Sequence, residues 1–247
     1  MAILTLAVVT DMTWPRVCVA GLSDLDGWVR PVVTRGELTS DQLATRGRHL
    51  RPGDVISVPI LPKQKLAPPH VEDRLCHLPQ HRVERTLELA EFGELLRRYV
   101  APSVAAAFNG QLEGRAVMPG SPCGSLVAVK ATRAELYTDE RSGKFRLRFE
   151  DGERQYTEIP VRDLRLMRYL QQRIDRRAQP DTQLLNRRIC EAGEILLCLG
   201  LARPWAKEHD VERCWLQVNG LFTFPEDLLA GRQWDEFPEG RVLTPIE

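Results

Sequence analysis

The chain has 247 residues, 34 basic and 34 acidic, so its formal charge is zero and it lacks the strong overall positive field that many nucleic-acid binders carry. That length suits one large domain or two of about 120 residues, either of which buries roughly 70% of its unfolded surface, so folding requires neither metal nor disulfide. The six cysteines form no C-x-x-C pair and several sit in apolar runs, as buried reduced thiols do.

No basic leader precedes the first apolar run, and the uncharged run 116–129 is too short and too broken by Pro and Gly to span a bilayer. The expected compartment is the cytoplasm, with no membrane partner. The charge balance hides an asymmetry: residues 141–188 hold 13 basic and 7 acidic side chains, and residues 189–247 hold 5 and 11. Of the basic residues 29 are arginine, whose planar fork suits phosphate or carboxylate, although a GC-rich genome produces the same bias.

Residues 2–10 read as a strand, broken by 11–15; residues 16–22 and 27–33 read as two more, joined by a turn at Ser23, Asp24, Leu25 and Asp26. Around this hairpin Arg16, Trp28 and Arg30 suit a stacking and anion-binding site. The two arginines equally suit neutralisation of Asp24 and Asp26, and Trp28 equally suits a core. Residues 40–46 predict one or two helical turns, and the turn 51–54 leads into a strand over 55–60. The proline-rich stretch 61–80 reads as an ordered surface loop. Residues 83–100 predict an amphipathic helix ended by Pro102 and weakened by Gly93.

In the second half, 126–137 predicts one long strand, 144–150 and 153–159 a hairpin with a two-residue turn at Asp151-Gly152. A helix follows, with Leu164, Met167, Leu170 and Ile174 on one face and Arg162, Arg165, Arg173, Arg176 and Arg177 largely away from it. A second helix over 182–192, closed by Gly193, leads to strands 195–201 and 214–218. Three strands, a helical segment and two strands is the order of an oligonucleotide/oligosaccharide-binding (OB) barrel. The first half repeats most of it. The expected fold is mainly β with helices: two tandem OB-like barrels with helical insertions, over residues 1–118 and 119–230, with an extended tail at 231–247 packed by Trp234 and Phe237.

The segments R-V-C-V-A-G from Arg16, G-W-V-R-P-V from Gly27, P-H-x-E-D at Pro69 to Asp73, I-L-L-C-L-G-L from Ile195 and C-W-L-Q-V-N-G from Cys214 resemble the dual-OB domain of prokaryotic conflict systems. That resemblance implies two OB barrels and recognition of nucleic acid or a nucleotide in antiviral or related systems. The Q-V-N-G end departs from the more lysine-bearing, apolar strand expected of such a domain.

On the hairpin 144–159, Phe145, Leu147, Phe149 and Tyr156 share one surface, and Lys144, Arg146, Arg148, Gln155 and Thr157 the other. The second surface suits phosphate tracking on the second and third strands of a barrel, or an ordinary solvated sheet face. His70, Cys76, His77 and His81, with Glu72 and Asp73, match no zinc spacing, and no metal is expected. The pair H-x-E at His70 and P-C at Pro122 is no deaminase signature, because Leu126 stands where the second cysteine belongs. No phosphate-binding, dinucleotide, zinc-protease or nucleophile-elbow motif occurs, and Cys123 has no identifiable base partner.

The sequence therefore predicts a non-catalytic nucleic-acid-binding module without cofactor, acting on DNA or RNA that is expected to be single-stranded, as an accessory subunit of a prokaryotic defence complex. Its binding residues are Arg16, Trp28, Arg30, Lys144, Arg146 and Arg148. A protein-interaction scaffold and a nucleotide-binding sensor are the alternatives.

Overall fold

The computed structural model describes residues 1–12, 16–24, 26–33, 38–45, 48–61, 66–77, 80–175, 182–206 and 211–230. The expected tail at 231–247 lies outside them. The first barrel opens with β1 (Ala2–Asp11), β2 (Val17–Ser23) and β3 (Gly27–Val33) as an antiparallel meander. A 3-10 turn (Ser40–Leu43), β4 (Ala44–Thr45) and β5 (Arg48–His49) lead to β6 (Asp54–Val58), which pairs antiparallel with β1.

The stretch expected as a surface loop contains β7 (Asp73–Cys76), parallel to β3, and three of its polar side chains, His70, Glu72 and Arg74, are buried. Leu61 N–H donates to the Leu75 carbonyl at 2.8 Å and His77 N–H to that of Pro59 at 3.1 Å, closing the barrel. Its charges conceal this strand in the sequence; Asp73 pairs with Arg30 of β3 and Arg74 donates to the Val71 and Asp73 carbonyls, while Glu72 finds its partners on the second barrel. Inside the barrel, Leu4, Leu6, Val17, Val19, Val29, Ile56 and Val58 form one apolar core.

The helix expected over 83–100 is shorter. Residues 82–86 form β8 (Arg82–Thr86) on the edge of β6, where ladder hydrogen bonds are available, and α1 (Leu89–Arg97) starts where the Glu91 carboxylate accepts from Glu88 N–H at 3.2 Å. Beyond it, β9 (Val100–Ala101), α2 (Val104–Ala107) and β10 (Ala116–Val117) pack on the second barrel, whose core includes Val104, Phe108 and Val117. Packing thus draws residues 100–118, placed with the first barrel on sequence grounds, onto the second.

The long strand expected over 126–137 divides at Thr132 into β11 (Leu126–Ala131) and β12 (Arg133–Thr138), so one stretch of chain serves two sheets. β13 (Phe145–Glu150) and β14 (Gln155–Pro160) complete a three-stranded sheet with β12. Their turn has four residues, not two: the Asp151 carboxylate accepts from the N–H groups of Glu153 and Arg154, both at 3.0 Å, and Glu150 pairs with Gln155. The apolar face keeps its membership, because the shift moves Tyr156 by two residues to Phe149, whose ring it stacks on at 5.0 Å.

Helices α3 (Leu164–Asp175) and α4 (Thr182–Glu191) precede β15 (Glu194–Leu201) and β16 (Cys214–Phe224), which pair with each other while β15 pairs with β11. A parallel bridge from Val161 to Val218, with Arg162 N–H donating to the Val218 carbonyl at 2.7 Å, closes the second barrel. Arg165, expected on a solvated face, is buried instead. Burial would push its pKa down, but Asp163 and Asp227, each 3.0 Å away, hold it above the usual arginine range. Side chains beyond residue 171 of α3, including Arg173, and residues 176 and 177 lie outside the described set.

Between the barrels lies an apolar seam. Ala7, Val8, Ala20 and Leu22, on the outer side of β1 and β2, meet Leu126, Leu196, Cys198 and Phe222, with Phe92 and Leu96 of α1 wedged beside them. A polar patch continues it: Glu72 accepts from Ser125 N–H at 2.7 Å and from its hydroxyl at 2.8 Å, while Asp73 takes Arg30 and Arg203, both at 2.6 Å.

Candidate nucleic-acid interface

On the second barrel the loop 139–144, between its first and second long strands, and residues 202–206, which follow β15, stand on either side of the outer face of β13 and β14. A cleft of about 710 Å³ opens there. Trp205, Trp215 and Tyr137 supply its aromatic lining, and Arg115, Arg141 and Arg146 its cations; Asp139, Glu140 and Glu158 line it too.

Each wall has a local cause. Trp205 pairs with Arg213 through two backbone hydrogen bonds, of 3.2 and 3.1 Å, and its carbonyl accepts from the Trp215 indole N–H at 3.3 Å. The two indoles lie 5.8 Å apart, tilted by 42°, and Trp205 remains 46% exposed. A large apolar ring held that far out of the core is available for stacking. In the opposite loop Asp139 accepts from Ser142 Oγ at 2.6 Å and Arg141 N–H at 3.0 Å, which hold its carboxyl below the usual aspartate range. Arg146 lies 3.7 Å from it. Arg115 pairs with Glu158 at 2.6 Å.

The residues expected from sequence to bind separate into two groups. Arg146 lines the cleft and Lys144 is exposed in the adjoining loop. Arg148 is engaged elsewhere: it pairs with Glu135 at 3.2 Å, lies over the Tyr137 ring at 5.6 Å, and lines a separate hollow with Asn186 and Ile189.

Around the first hairpin the expected arrangement is corrected. Arg30 is buried, pairs with Asp73 rather than Asp24 or Asp26, and donates to Ser125 Oγ at 3.2 Å. Trp28 packs in the seam. Arg16 is half-buried and bridged through its backbone to Thr39. Arg30 and Trp28 therefore hold the barrels together.

The cluster considered for metal divides as well: Cys76 lies in the first core, while His70 reaches the second barrel, its Nε2 lying 3.3 Å from the Leu201 carbonyl. Burial, with Arg30 and Arg203 adding to it, lowers the His70 pKa to about 4.

Trp205, Trp215 and Arg115 were not singled out from the sequence. Their signal is positional, since two tryptophans flank the connection between the last two strands, the place from which an OB barrel reads oligonucleotides.

Residues 1–221 match the family model of the dual OB-containing domain. No curated protein and no solved structure matches the chain.

Proposed function

The chain belongs to the dual OB-containing domain family, and on that premise we propose that it is a non-catalytic module that binds single-stranded nucleic acid in the cleft of its second barrel. One observation carries the reading: an aromatic and arginine lining coincides with the strand face and the two loops through which OB barrels take oligonucleotides. Trp205 and Trp215 stack bases, and Arg141 and Arg146, with Lys144 beside them, meet phosphates. The wider role we propose, as an accessory subunit of a prokaryotic defence complex, rests on the sequence resemblance. Three cationic and three anionic side chains line the cleft, so stacking carries more of the affinity than counterion release does.

The test is fluorescence anisotropy with labelled single- and double-stranded DNA and RNA at low and near-physiological salt. Trp205→Ala is expected to weaken single-strand binding by about tenfold or more, the value of one base–aromatic stack. Binding unaffected by that change, or absent at low salt, overturns the reading. A nucleotide-binding sensor is the second reading, favoured by the cleft's volume, which falls within the roughly 300–1,000 Å³ of small-molecule sites. It predicts a rise in melting temperature with mononucleotides.

A further inference from the structure

We propose that Glu158 makes the cleft selective for guanine, an inference that rests on the single-strand reading above. Along β14, Tyr156 and Ile159 both face the core, at 4% and 0% exposure, although three residues apart. Strict alternation cannot do that. Tyr156 pairs with Phe149 and Ile159 with Leu147, two residues apart on β13, so β14 carries one residue too many and bulges. The extra residue sends Glu158, which alternation would turn inward, out into the cleft, where 66% of its side chain is exposed.

The bulge puts Glu158 at φ +56°, a left-handed conformation that glycine or asparagine adopts more readily. Packing does not ask for a carboxylate there. The surroundings nonetheless fix it: Glu158 N–H donates to the Tyr137 hydroxyl at 3.1 Å, and Arg115 Nη1 donates to both its carbonyl, at 3.2 Å, and Oε2, at 2.6 Å. Strain held in place by neighbours, beside an aromatic cleft, marks a residue kept for its ligand.

The pair presents a guanidinium donor beside a carboxylate whose Oε1 has no protein partner among the described residues. Guanine offers the matching edge, with an acceptor at O6 next to two N–H donors at N1 and N2. Thymine and uracil place one donor between two acceptors, and adenine lacks the second donor. Cytosine reverses the demand, one donor against two acceptors, and so calls more on the arginine. Here Arg115 is 35% exposed against 66% for Glu158, so the carboxylate is the more available group.

The test uses the full chain and thymidine hexamers carrying one central guanine, cytosine or adenine, with guanosine monophosphate as competitor. The guanine hexamer is expected to bind about tenfold more tightly than all-thymidine, as one bidentate base contact gives. Glu158→Gln should bring that preference, read as the ratio of guanine-hexamer to all-thymidine affinity, within about twofold. Glu158→Gly, which suits the backbone, provides a second variant with the same expected loss. Competition by guanosine monophosphate at concentrations similar to the hexamer identifies a free nucleotide as the source of the base, and its failure to compete identifies a strand; the guanine preference supports the proposal in both cases. Equal binding of all hexamers, a cytosine preference, or a guanine preference that survives both variants overturns the proposal while the single-strand reading stands. No binding of any hexamer removes both.

Discussion

Gly93 lies directly beneath the ring of Phe224: a Cβ at that position would sit 2.6 Å from the ring edge. The helix thus approaches the last strand more closely than any side chain would allow, and Arg97 lies over the same ring at 5.2 Å. Gly93→Ala gains about 1 kcal/mol of helix propensity but forces overpacking worth about 1–3 kcal/mol. The expected outcome of thermal unfolding is a lower Tm, recovered in part when Phe224→Leu is added.

Asp73 joins two arginines of unequal burial. Arg30 is 8% exposed and Arg203 is 52% exposed. Asp73→Ala leaves Arg30 charged and buried without its carboxylate, which should cost about 3–5 kcal/mol in urea unfolding. Arg203→Ala removes an exposed partner and should cost no more than about 1 kcal/mol.

His70 makes stability depend on pH. Its folded pKa, about 4, lies below the ordinary histidine value of 6.5 because burial, Arg30 and Arg203 oppose a second proton, with Asp73 and the Leu201 carbonyl acting the other way. Between those values the unfolded chain binds more protons, so the contribution is complete above pH 6.5 and is lost as pH falls toward 4. The loss is on the order of 3 kcal/mol. Unfolding of His70→Gln is expected to be flatter over that window than that of the wild type.

Arg146 and Arg148 are neighbours on one sheet face with different tasks. Arg146→Ala should lower the slope of log affinity against log salt by about one, because its side chain borders the cleft. Arg148→Ala should leave the slope unchanged, since that arginine is spent on Glu135 and Tyr137.

Glu158→Gly should raise Tm by about 2–4 °C, from relief of about 1 kcal/mol of left-handed strain. The same change is expected to reduce discrimination among bases. A residue whose removal stabilises the fold and impairs recognition is one retained for recognition.

Periodicity made both meanders and the helices of the second barrel legible in the sequence, because Val17, Val19, Leu147 and Phe149 alternate and Leu164 and Leu170 recur at helical spacing. It could not reveal β7, whose Asp73 and Arg74 read as loop and become strand residues only with partners from distant segments. The Asp151 turn misled the register because Asp-Gly is a strong two-residue signal, while the Asp151 carboxylate prefers to close four. Arg146 and Lys144 were legible as binding candidates from their face and position. Trp205 was not, since its role depends on which loop ends up across from Arg146. Arg30 looked like a binding residue because burial of a charge cannot be seen until its counter-ion, 43 residues along, is located.

The seam on β1 and β2 also limits what two copies of a fold can accomplish. The first barrel buries the outer side of β1 and β2, with Trp28 of β3, against its neighbour, while the second keeps a cleft open beside β13 and β14. Two readers on one chain would gain avidity from each other, their second contact arriving at high effective concentration. On the proposed reading the duplication supplies one reader and one pedestal. A nucleic-acid strand is then expected to engage the molecule once, with one-to-one stoichiometry, and affinity should not climb when the ligand is made long enough to reach both barrels.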